Sequence, residues 1–178
     1  MNISLAKLTF VRLIGFPFIA KAEDIVFIEV DPIAYALKGY SLHGGVEMNG
    51  FRFQIGAFGL DIPEATSNNQ NYKLRQTGVG FKIDYFGESE EGAFVGVEYG
   101  ATKVIYNLAS VNFTDTRLAN LAGIRLGYKY VNKEGFYVIP WVGIDKNISD
   151  ISPINPTGEQ YNISEYLIFP TVHIGIQF

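Results

Sequence analysis

The last ten residues of the chain, 169–178, read FPTVHIGIQF and alternate between two kinds of side chain. The apolar parity consists of Val172, Ile174, Ile176 and Phe178, and the other parity consists of Thr171, His173, Gly175 and Gln177. Successive side chains of a β-strand point to opposite faces, so this period of two predicts a strand with one apolar face. Because the strand runs to a terminal aromatic residue without a polar tail, the question is what the apolar face contacts.

The composition favours a single β domain. A length of 178 residues fits one domain, and 19 glycines with 15% aromatic residues favour β structure over a helical bundle. The absence of cysteine excludes disulfides and thiolate chemistry. A formal net charge of -4, without any run of basic residues, argues against a nucleic-acid partner.

The first 22 residues have the pattern of a secretory signal peptide. Lys7 and Arg12 precede an apolar run from Leu13 to Ala20, and Ala20-Lys21-Ala22 fits an A-x-A cleavage site. The apolar run is too short to span a bilayer as a helix. We therefore expect residues 1–22 to be removed and residues 23–178 to fold outside the cytoplasm. The alternative is a buried N-terminal helix or strand.

Alternation with a period of two continues along most of the chain after Glu23 and predicts eight strands. They cover residues 24–30, 35–48, 51–62, 74–86, 93–106, 117–131, 136–148 and 163–178. Asn49-Gly50 between two of them is a strong hairpin signal, because both turn residues must adopt positive φ. Short turns at 49–50, 87–92 and 132–135 alternate with longer connections near 63–72, 107–116 and 148–162. This asymmetry is typical of outer-membrane barrels, and only the short first connection at Asp31-Pro32 departs from it.

Three features indicate that the apolar face contacts lipid. The polar face consists mostly of glycine with isolated charges of both signs, whereas the outside of a soluble barrel would be crowded with polar side chains. Aromatic residues cluster near the short turns and predict a girdle at one membrane interface. The predicted anchors are Phe51, Phe53, Tyr85, Phe94, Tyr128, Phe136 and Phe178. The terminal Phe178 joins this girdle, so the last strand ends at the membrane surface.

On these residues the chain resembles the small eight-stranded outer-membrane barrels, similar in plan to the OmpA transmembrane domain and OmpX. The resemblance covers nearly all of residues 23–178, and its most specific element is FPTVHIGIQF with its terminal phenylalanine. It implies an all-β, eight-stranded, antiparallel up-and-down transmembrane barrel in the bacterial outer membrane. It also implies that Phe178 is part of a signal for the barrel-insertion machinery. The resemblance carries no activity, because a fold does not determine a function.

The polar parity supplies a candidate interior network. Its members are Glu47, Arg52, Lys82, Asp84, Glu98, Arg125 and Lys129, together with His43 and His173. An eight-stranded barrel is filled by side chains and leaves no aqueous channel, so these charges are expected to form pairs. A pairing of four bases with three acids indicates a closed core rather than a wide pore.

Catalytic and metal-binding patterns are weak. The two histidines lie on strands that flank the first strand, and strand spacing suggests a ring separation of roughly 10 Å, too far for shared metal ligation. Ser41, His43 and Glu47 share a face, but Ser41 and His43 are roughly 6.8 Å apart along a strand, too far for a nucleophile and its base. We therefore predict no metal, no cofactor and no catalytic residue.

Two prolines lie inside predicted strands, where proline is normally excluded because it cannot donate to the ladder. Pro140 and Pro170 fall on neighbouring strands with the parity of the lipid-facing residues. They are bulges, or they lie at an outer end where ladder bonds are already sparse, or they form a weak lateral seam through which a lipid acyl chain reaches the interior beside Trp141. The last interpretation resembles the proline-weakened gaps of outer-membrane lipid acyltransferases, whose catalytic residues have no match here.

The leading functional hypothesis is a monomeric, non-enzymatic outer-membrane barrel whose partners are membrane lipid and the insertion machinery. Its role would be membrane integrity, surface binding or adhesion. A lipid-modifying enzyme of the outer membrane and a soluble periplasmic carrier of an apolar ligand remain as alternatives. Analysis of membrane lipids distinguishes the enzyme, and solubility without detergent distinguishes the carrier.

Overall fold

A computed structural model describes residues 24–62, 72–87, 89–108, 112–149 and 165–178. Eight antiparallel strands form a closed barrel, in which each strand pairs with its sequence neighbours and the last pairs with the first. The strands are β1 Ile25–Val30, β2 Tyr40–Met48, β3 Phe51–Ile62, β4 Tyr72–Tyr85, β5 Gly92–Leu108, β6 Phe113–Val131, β7 Phe136–Asn147 and β8 Tyr166–Gln177. This architecture confirms the predicted fold class. The predicted signal peptide, residues 1–22, lies outside the described residues.

One short helix, α1 (Pro32–Ala36), replaces the predicted start of the second strand. Asp31 caps the helix by accepting a hydrogen bond from the N–H of Ile33 at 2.8 Å, and Pro32 follows at the start of the first turn. An aspartate N-cap followed by proline is a sequence signal for a helix start. The prediction of a short turn at Asp31-Pro32 was therefore wrong. The first connection is a longer one, so it fits the alternation of short turns and long connections. No helix in the described residues is long and apolar enough to cross a bilayer.

The hairpin of β5 and β6 is longer than predicted. The segment 107–116, expected to be a loop, is mostly strand, since β5 continues to Leu108 and β6 begins at Phe113. The two strands pair over their full shared length, from Gly92–Lys129 to Leu108–Phe113. At this end of the barrel β5 and β6 extend well past β7, whose pairing with β6 stops at Leu121–Asn147, while β4 reaches as far as β5 through the pair Tyr72–Leu108. We call this the loop end, and the opposite end, with the short connections, the turn end.

The turn end is built from tight connections whose residues satisfy the backbone. Asn49 and Gly50 have φ values of 51° and 78°, as a type I′ turn requires, which confirms the predicted hairpin. Between β6 and β7, the side chain of Asn132 accepts hydrogen bonds from the N–H groups of Glu134 and Phe136 at 3.0 and 2.9 Å. Such local side-chain caps fix the turn without a longer loop.

The two strand prolines do not weaken a shared seam. Pairing between β7 and β8 is continuous from Phe136–Ile176 to Lys146–Tyr166 and crosses both prolines. The hydrogen bond from Asn132 N–H to Phe136 O shows that even-numbered residues of β7 face β6, so the missing donor of Pro140 lies on the β6–β7 seam. That seam lacks pairs at Tyr128–Pro140 and Lys129–Ile139.

Pro170 faces the opposite way. The N–H of Phe178 bonds to Val26 O and that of Gln177 to Gly135 O, so even-numbered residues of β8 face β1. The predicted weak seam between Pro140 and Pro170, beside Trp141, was therefore wrong. Pro140 removes a donor from the β6–β7 seam, and Pro170 removes a donor from the side of β8 that faces β1.

Candidate functional site

The outward face of the barrel is an apolar belt. Its side chains are exposed although they are large and apolar, as shown by Val97 at 54%, Ile124 at 58% and Leu126 at 57%. Exposed aromatic rings follow at the turn end: Phe51, Tyr85, Tyr128, Tyr130, Phe136 and Phe178. Phe53 is half-buried beside Phe51, with ring centroids 6.2 Å apart. A continuous exposed apolar surface of this kind marks a region that contacts lipid or protein rather than water.

Phe94 is the exception among the predicted anchors. Its side chain is 5% exposed and packs inside the barrel with Phe86 and Trp141, so its assignment to the outer girdle was wrong. The reason is parity, because Phe94 shares the face of Gly96 and Glu98 in β5, which points inward. Nearness to a short turn does not by itself place an aromatic residue on the outside.

The interior contains a network of charges centred on Arg52, which we call the Arg52 network. The guanidinium of Arg52 is bonded to both Glu29 and Glu47 and donates to the Tyr137 hydroxyl at 2.8 Å. Lys129 donates to the two carboxylate oxygens of Glu47 at 2.7 and 2.8 Å. Glu29 also contacts Gln54 and His173. Arg52, Glu29 and Lys129 are almost completely buried, so this network fixes the strands that contribute to it.

A second group of buried charges surrounds Trp141, and we call it the Arg125 cluster. Arg125 Nε lies 3.2 Å from Asp84 Oδ1, and both side chains are 1% exposed. The guanidinium carbon of Arg125 lies 4.0 Å from the centre of the Trp141 ring, and Lys82 Nζ lies 4.9 Å from it. These distances place both cations against the face of an indole, which is the best aromatic partner of a cation.

The predicted interior residues therefore form two groups rather than one. Glu47, Arg52, Lys129 and the two histidines belong to the Arg52 network, whereas Lys82, Asp84 and Arg125 surround Trp141. Lys82 and Glu98 are cross-strand neighbours, but no ion pair within 4 Å joins them in the described residues.

Glycines separate the large side chains along the ladder, for example Asp84–Gly96–Arg125–Gly143. This alternation of large and absent side chains lets a narrow barrel contain the charged groups.

The two histidines are closer together than strand spacing suggested. The rings of His43 and His173 stack with centroids 5.0 Å apart, so the expected separation of roughly 10 Å was wrong. Spacing along the wall does not apply to inward side chains, which converge across the narrow interior. No group of three or more histidine, cysteine, aspartate or glutamate residues in the described part of the chain could hold a metal ion.

Ser41 and His43 have separate partners. Ser41 Oγ accepts a hydrogen bond from the N–H of Asp31 at 3.1 Å, while His43 stacks on His173. No hydrogen bond joins the two side chains in the described chain. The arrangement is that of two buried polar residues on one strand face rather than a nucleophile with its base.

Sequence reasoning missed several interior residues. Glu29, the acid that joins Arg52 to His173, lies on β1, whose faces we did not assign from the sequence. Tyr137 and Asp145 were also missed, although both have the parity of Trp141 in β7. Glu29 and Asp145 increase the number of interior acids, so the expected balance of four bases with three acids was incomplete. The parity of each strand, applied to all eight strands, would have found these residues.

At the loop end the character of the two faces changes. The inward parity of β4 to β6 contributes a buried apolar cluster there: Leu74, Val104, Tyr106, Leu108 and Ala119, with Ile62 and Phe113 packed against it. The outward parity gains exposed polar side chains, which are Lys73, Arg75, Lys103, Asn107, Thr114 and Thr116, beside the exposed Leu118. This change explains why 107–116 did not look like the rest of the predicted barrel. It indicates where the strands leave the apolar surroundings and enter water.

Comparisons with known proteins show the fold. No family model matches the chain, and no curated protein matches it. A major outer membrane protein from Thermus thermophilus is 10% identical, with 87% of this chain and 99% of that chain covered and a TM-score of 0.52. Neisserial surface protein A (NspA) is 11% identical over 86% of this chain and 95% of that chain, with a TM-score of 0.49. The chain therefore has the fold of the small eight-stranded outer-membrane β-barrels, as its sequence predicted.

Proposed function

We propose that the protein is a bacterial outer-membrane barrel that spans the lipid with its eight strands and conducts no large solute. The observation that carries this proposal is the opposite character of the two faces. The outward belt of Val97, Ile124 and Leu126 is exposed and apolar, whereas the inward positions between them hold buried, paired charges such as Arg125 and Asp84. A water-soluble barrel would require the reverse arrangement.

Single-cysteine labelling tests this topology cleanly, because the chain has no cysteine of its own. We expect Lys103→Cys to react with a water-soluble maleimide in vesicles, since Lys103 lies on the polar outward face at the loop end. Leu126→Cys, on the apolar belt, is expected to react only after detergent is added. Equal labelling of the two positions without detergent would contradict membrane insertion.

Within that framework, the role that the geometry supports best is presentation of a folded surface outside the membrane. The β5–β6 hairpin, with β4 paired to it as far as Tyr72–Leu108, extends past β7, and its inner apolar cluster around Tyr106 and Leu108 is buried. A packed cluster gives the extension a defined shape, and its outward face offers polar groups such as Thr114 and Asn107, whose side chains are hydrogen-bonded at 2.9 Å. Surface binding fits these observations better than transport, because the interior is filled.

Labelling of intact cells tests which end is outside. We expect Thr114→Cys, at the loop end, to react with an impermeant maleimide on intact cells. Glu134→Cys, in the β6–β7 turn, should react only after the outer membrane is permeabilised. Labelling of Glu134→Cys alone on intact cells would overturn the proposed orientation.

A further inference from the structure

Three bases lie together on the outward face of β4 and β5 near the loop end. Lys73 and Arg75 are successive outward residues of β4, and Lys103 is an outward residue of β5. Arg75 is the register partner of Ile105, so Lys103 is its diagonal neighbour across the ladder. Diagonal neighbours and successive outward residues are both about 7 Å apart, so three long side chains can reach one anion. We call Lys73, Arg75 and Lys103 the basic cluster.

The basic cluster is only weakly neutralised by the protein. Arg75 Nε lies 3.9 Å from Asp61 Oδ1, and the two side chains are 50% and 45% exposed, so this pair contributes little. Lys73 and Lys103 are exposed, and neither forms an ion pair within 4 Å in the residues that the structure describes. Three bases beside one distant acid therefore give a local positive charge, although the chain has a formal net charge of -4.

The height of the basic cluster on β4 matches a membrane interface. Tyr85 belongs to the aromatic girdle at the turn end, and the outward residues Phe81 and Val79 that follow it toward Arg75 are exposed and apolar. From Tyr85 to Arg75 the strand rises about 34 Å, at about 3.4 Å for each residue. A tilt of about 40° reduces this to about 26 Å along the membrane normal, close to the apolar band of about 25 Å in such barrels. Arg75 therefore lies at the far edge of the lipid core.

The two lysines lie on either side of that edge. Lys103 is one outward step nearer the apolar belt, beside its register partner Leu118, which is 76% exposed. Lys73 is one outward step beyond Arg75. The headgroup layer on each side of a bilayer is about 5–8 Å thick. Because lysine and arginine extend their charges from apolar surroundings toward the interface, all three charges fall within this layer.

We propose that the basic cluster binds the phosphate group of an anionic lipid headgroup in the leaflet at the loop end. The inference rests on the proposed membrane insertion of the barrel. Arg75 binds phosphate through two parallel hydrogen bonds, while Lys73 and Lys103 add point charges. The acyl chain of the same lipid lies against the exposed Leu118. A soluble acidic protein fits less well, because the bases border the lipid-facing belt.

A fluorescent label beside the basic cluster measures the local preference for a headgroup. Leu118→Cys gives a single attachment site for a bimane label, because the chain has no cysteine of its own. A nitroxide on the acyl chain of a lipid quenches such a label by contact. In phosphatidylcholine vesicles, a small share of nitroxide-labelled phosphatidic acid is compared with the same share of nitroxide-labelled phosphatidylcholine. We expect the ratio of the two quenching constants to favour phosphatidic acid.

Removal of single bases tests whether the cluster causes this preference. We expect Arg75→Gln and Lys103→Gln each to lower the ratio about fivefold, the fold-change that corresponds to about 1 kcal/mol for each base near a charged membrane surface. Arg75→Lys should retain most of the ratio, because it keeps the charge and loses only the paired hydrogen bonds. All these positions are exposed, so the heat-modifiable folded fraction should not change.

Lys146→Gln is the matched control. Lys146 is another exposed base at the loop end, but its Nζ already lies 3.0 Å from Glu165 Oε1. We expect this variant to leave the ratio at position 118 unchanged. An equal fall in the ratio for Lys146→Gln and Arg75→Gln would show attraction by general surface charge and would overturn the proposal.

A second label position separates this inference from the membrane assignment. Leu126→Cys places the bimane on the apolar belt, where the register partners of Leu126 are Val95 and Val142. Both nitroxide lipids should quench this label equally. Quenching at position 126 with a ratio of one at position 118 would reject lipid binding by the basic cluster alone. Absence of quenching at position 126 by either lipid would reject the membrane insertion on which the inference rests.

Discussion

At the scale of single residues, Arg125 tests whether the interior depends on charge pairing. Arg125→Leu leaves Asp84 buried without the base that lies 3.2 Å away, and it removes the contact with Trp141. We expect it to lower the free energy of unfolding by about 3–5 kcal/mol, because an unpaired buried charge is costly. Denaturant midpoints in detergent micelles measure the change.

The adjacent position is the control for the orientation of the faces. Leu126 is exposed on the belt, so Leu126→Arg places a charge in lipid and should cost about 2–4 kcal/mol near the midplane. Leu126→Ser, without a charge, should cost less. A destabilising Arg125→Leu combined with a harmless Leu126→Arg would indicate a barrel surrounded by water.

The Arg52 network predicts an order of effects among its bases. Arg52→Met removes the base shared by Glu29 and Glu47 and should cost about 3–5 kcal/mol. Lys129→Met should cost less, about 1–3 kcal/mol, because Glu47 keeps its contact with Arg52. Unfolding in micelles measures both variants.

Arg75, a base on the surface, provides the comparison for the Arg52→Met and Lys129→Met variants. Arg75 is 50% exposed and lies 3.9 Å from Asp61, so Arg75→Met should change stability by less than about 1 kcal/mol. If Lys129→Met proved more costly than Arg52→Met, the central role of Arg52 in the network would be wrong.

At the scale of elements, β8 should show alternating protection of its backbone amides. Odd-numbered residues such as Phe169 and Thr171 face β7 through a continuous ladder. Even-numbered residues such as Ile168 and Val172 face the β1 side beyond the last pair, Val30–Ile174, where no strand pairs with them in the described chain. We therefore expect the amides of Ile168 and Val172 to exchange with solvent hydrogen faster than those of Phe169 and Thr171.

Hydrogen exchange of the refolded barrel in micelles, followed by NMR, measures this pattern. Ile174 serves as the internal reference, because it has the same parity but pairs with Val30 of β1. Its amide should be protected like those of the odd-numbered residues. Equal exchange at Ile168, Val172 and Ile174 would mean that the ladder on this side continues to the loop end.

Individual strands and the helix show why the sequence predicted some elements and not others. Strict alternation with an Asn49-Gly50 turn predicted β3 with its observed bounds, Phe51–Ile62, because one periodic signal and one turn signal agree there. Helix α1 was missed because its five residues are too few for a helical period, although Asp31 and Pro32 mark a helix start. The outer parts of β5 and β6 were missed because the character of their two faces changes at the membrane boundary.

The interior was less predictable than the strands. Parity predicts that Lys82 and Arg125 point inward, and both are buried. It does not predict which charges meet, because partners such as Lys129 and Glu47 are 82 residues apart in the chain and converge only when the barrel closes. The stacking of His43 on His173 is a consequence of the same convergence, which a strand spacing measured along the wall cannot describe.

At the scale of the whole molecule, closure of the barrel depends on its shortest seam. β1 and β8 share four ladder pairs, Phe27–Gln177 to Val30–Ile174, and two further backbone bonds join Val26 with Phe178 at 3.2 and 2.8 Å. The terminal residue therefore has two separate roles. Its backbone extends the closing seam, and its ring, 38% exposed, lies in the aromatic girdle at the turn end.

Two variants separate these roles. Deletion of Phe178 removes the ring and both bonds to Val26, whereas Phe178→Ala removes only the ring and keeps the backbone. We expect both variants to lower the folded, heat-modifiable fraction in membranes, and the deletion to lower it further because the seam is short. In micelles, where no insertion machinery acts, the deletion should remain the less stable while Phe178→Ala recovers most of its folding. An unchanged folded fraction for the deletion in both settings would show that neither the terminal ring nor its seam bonds are needed for assembly.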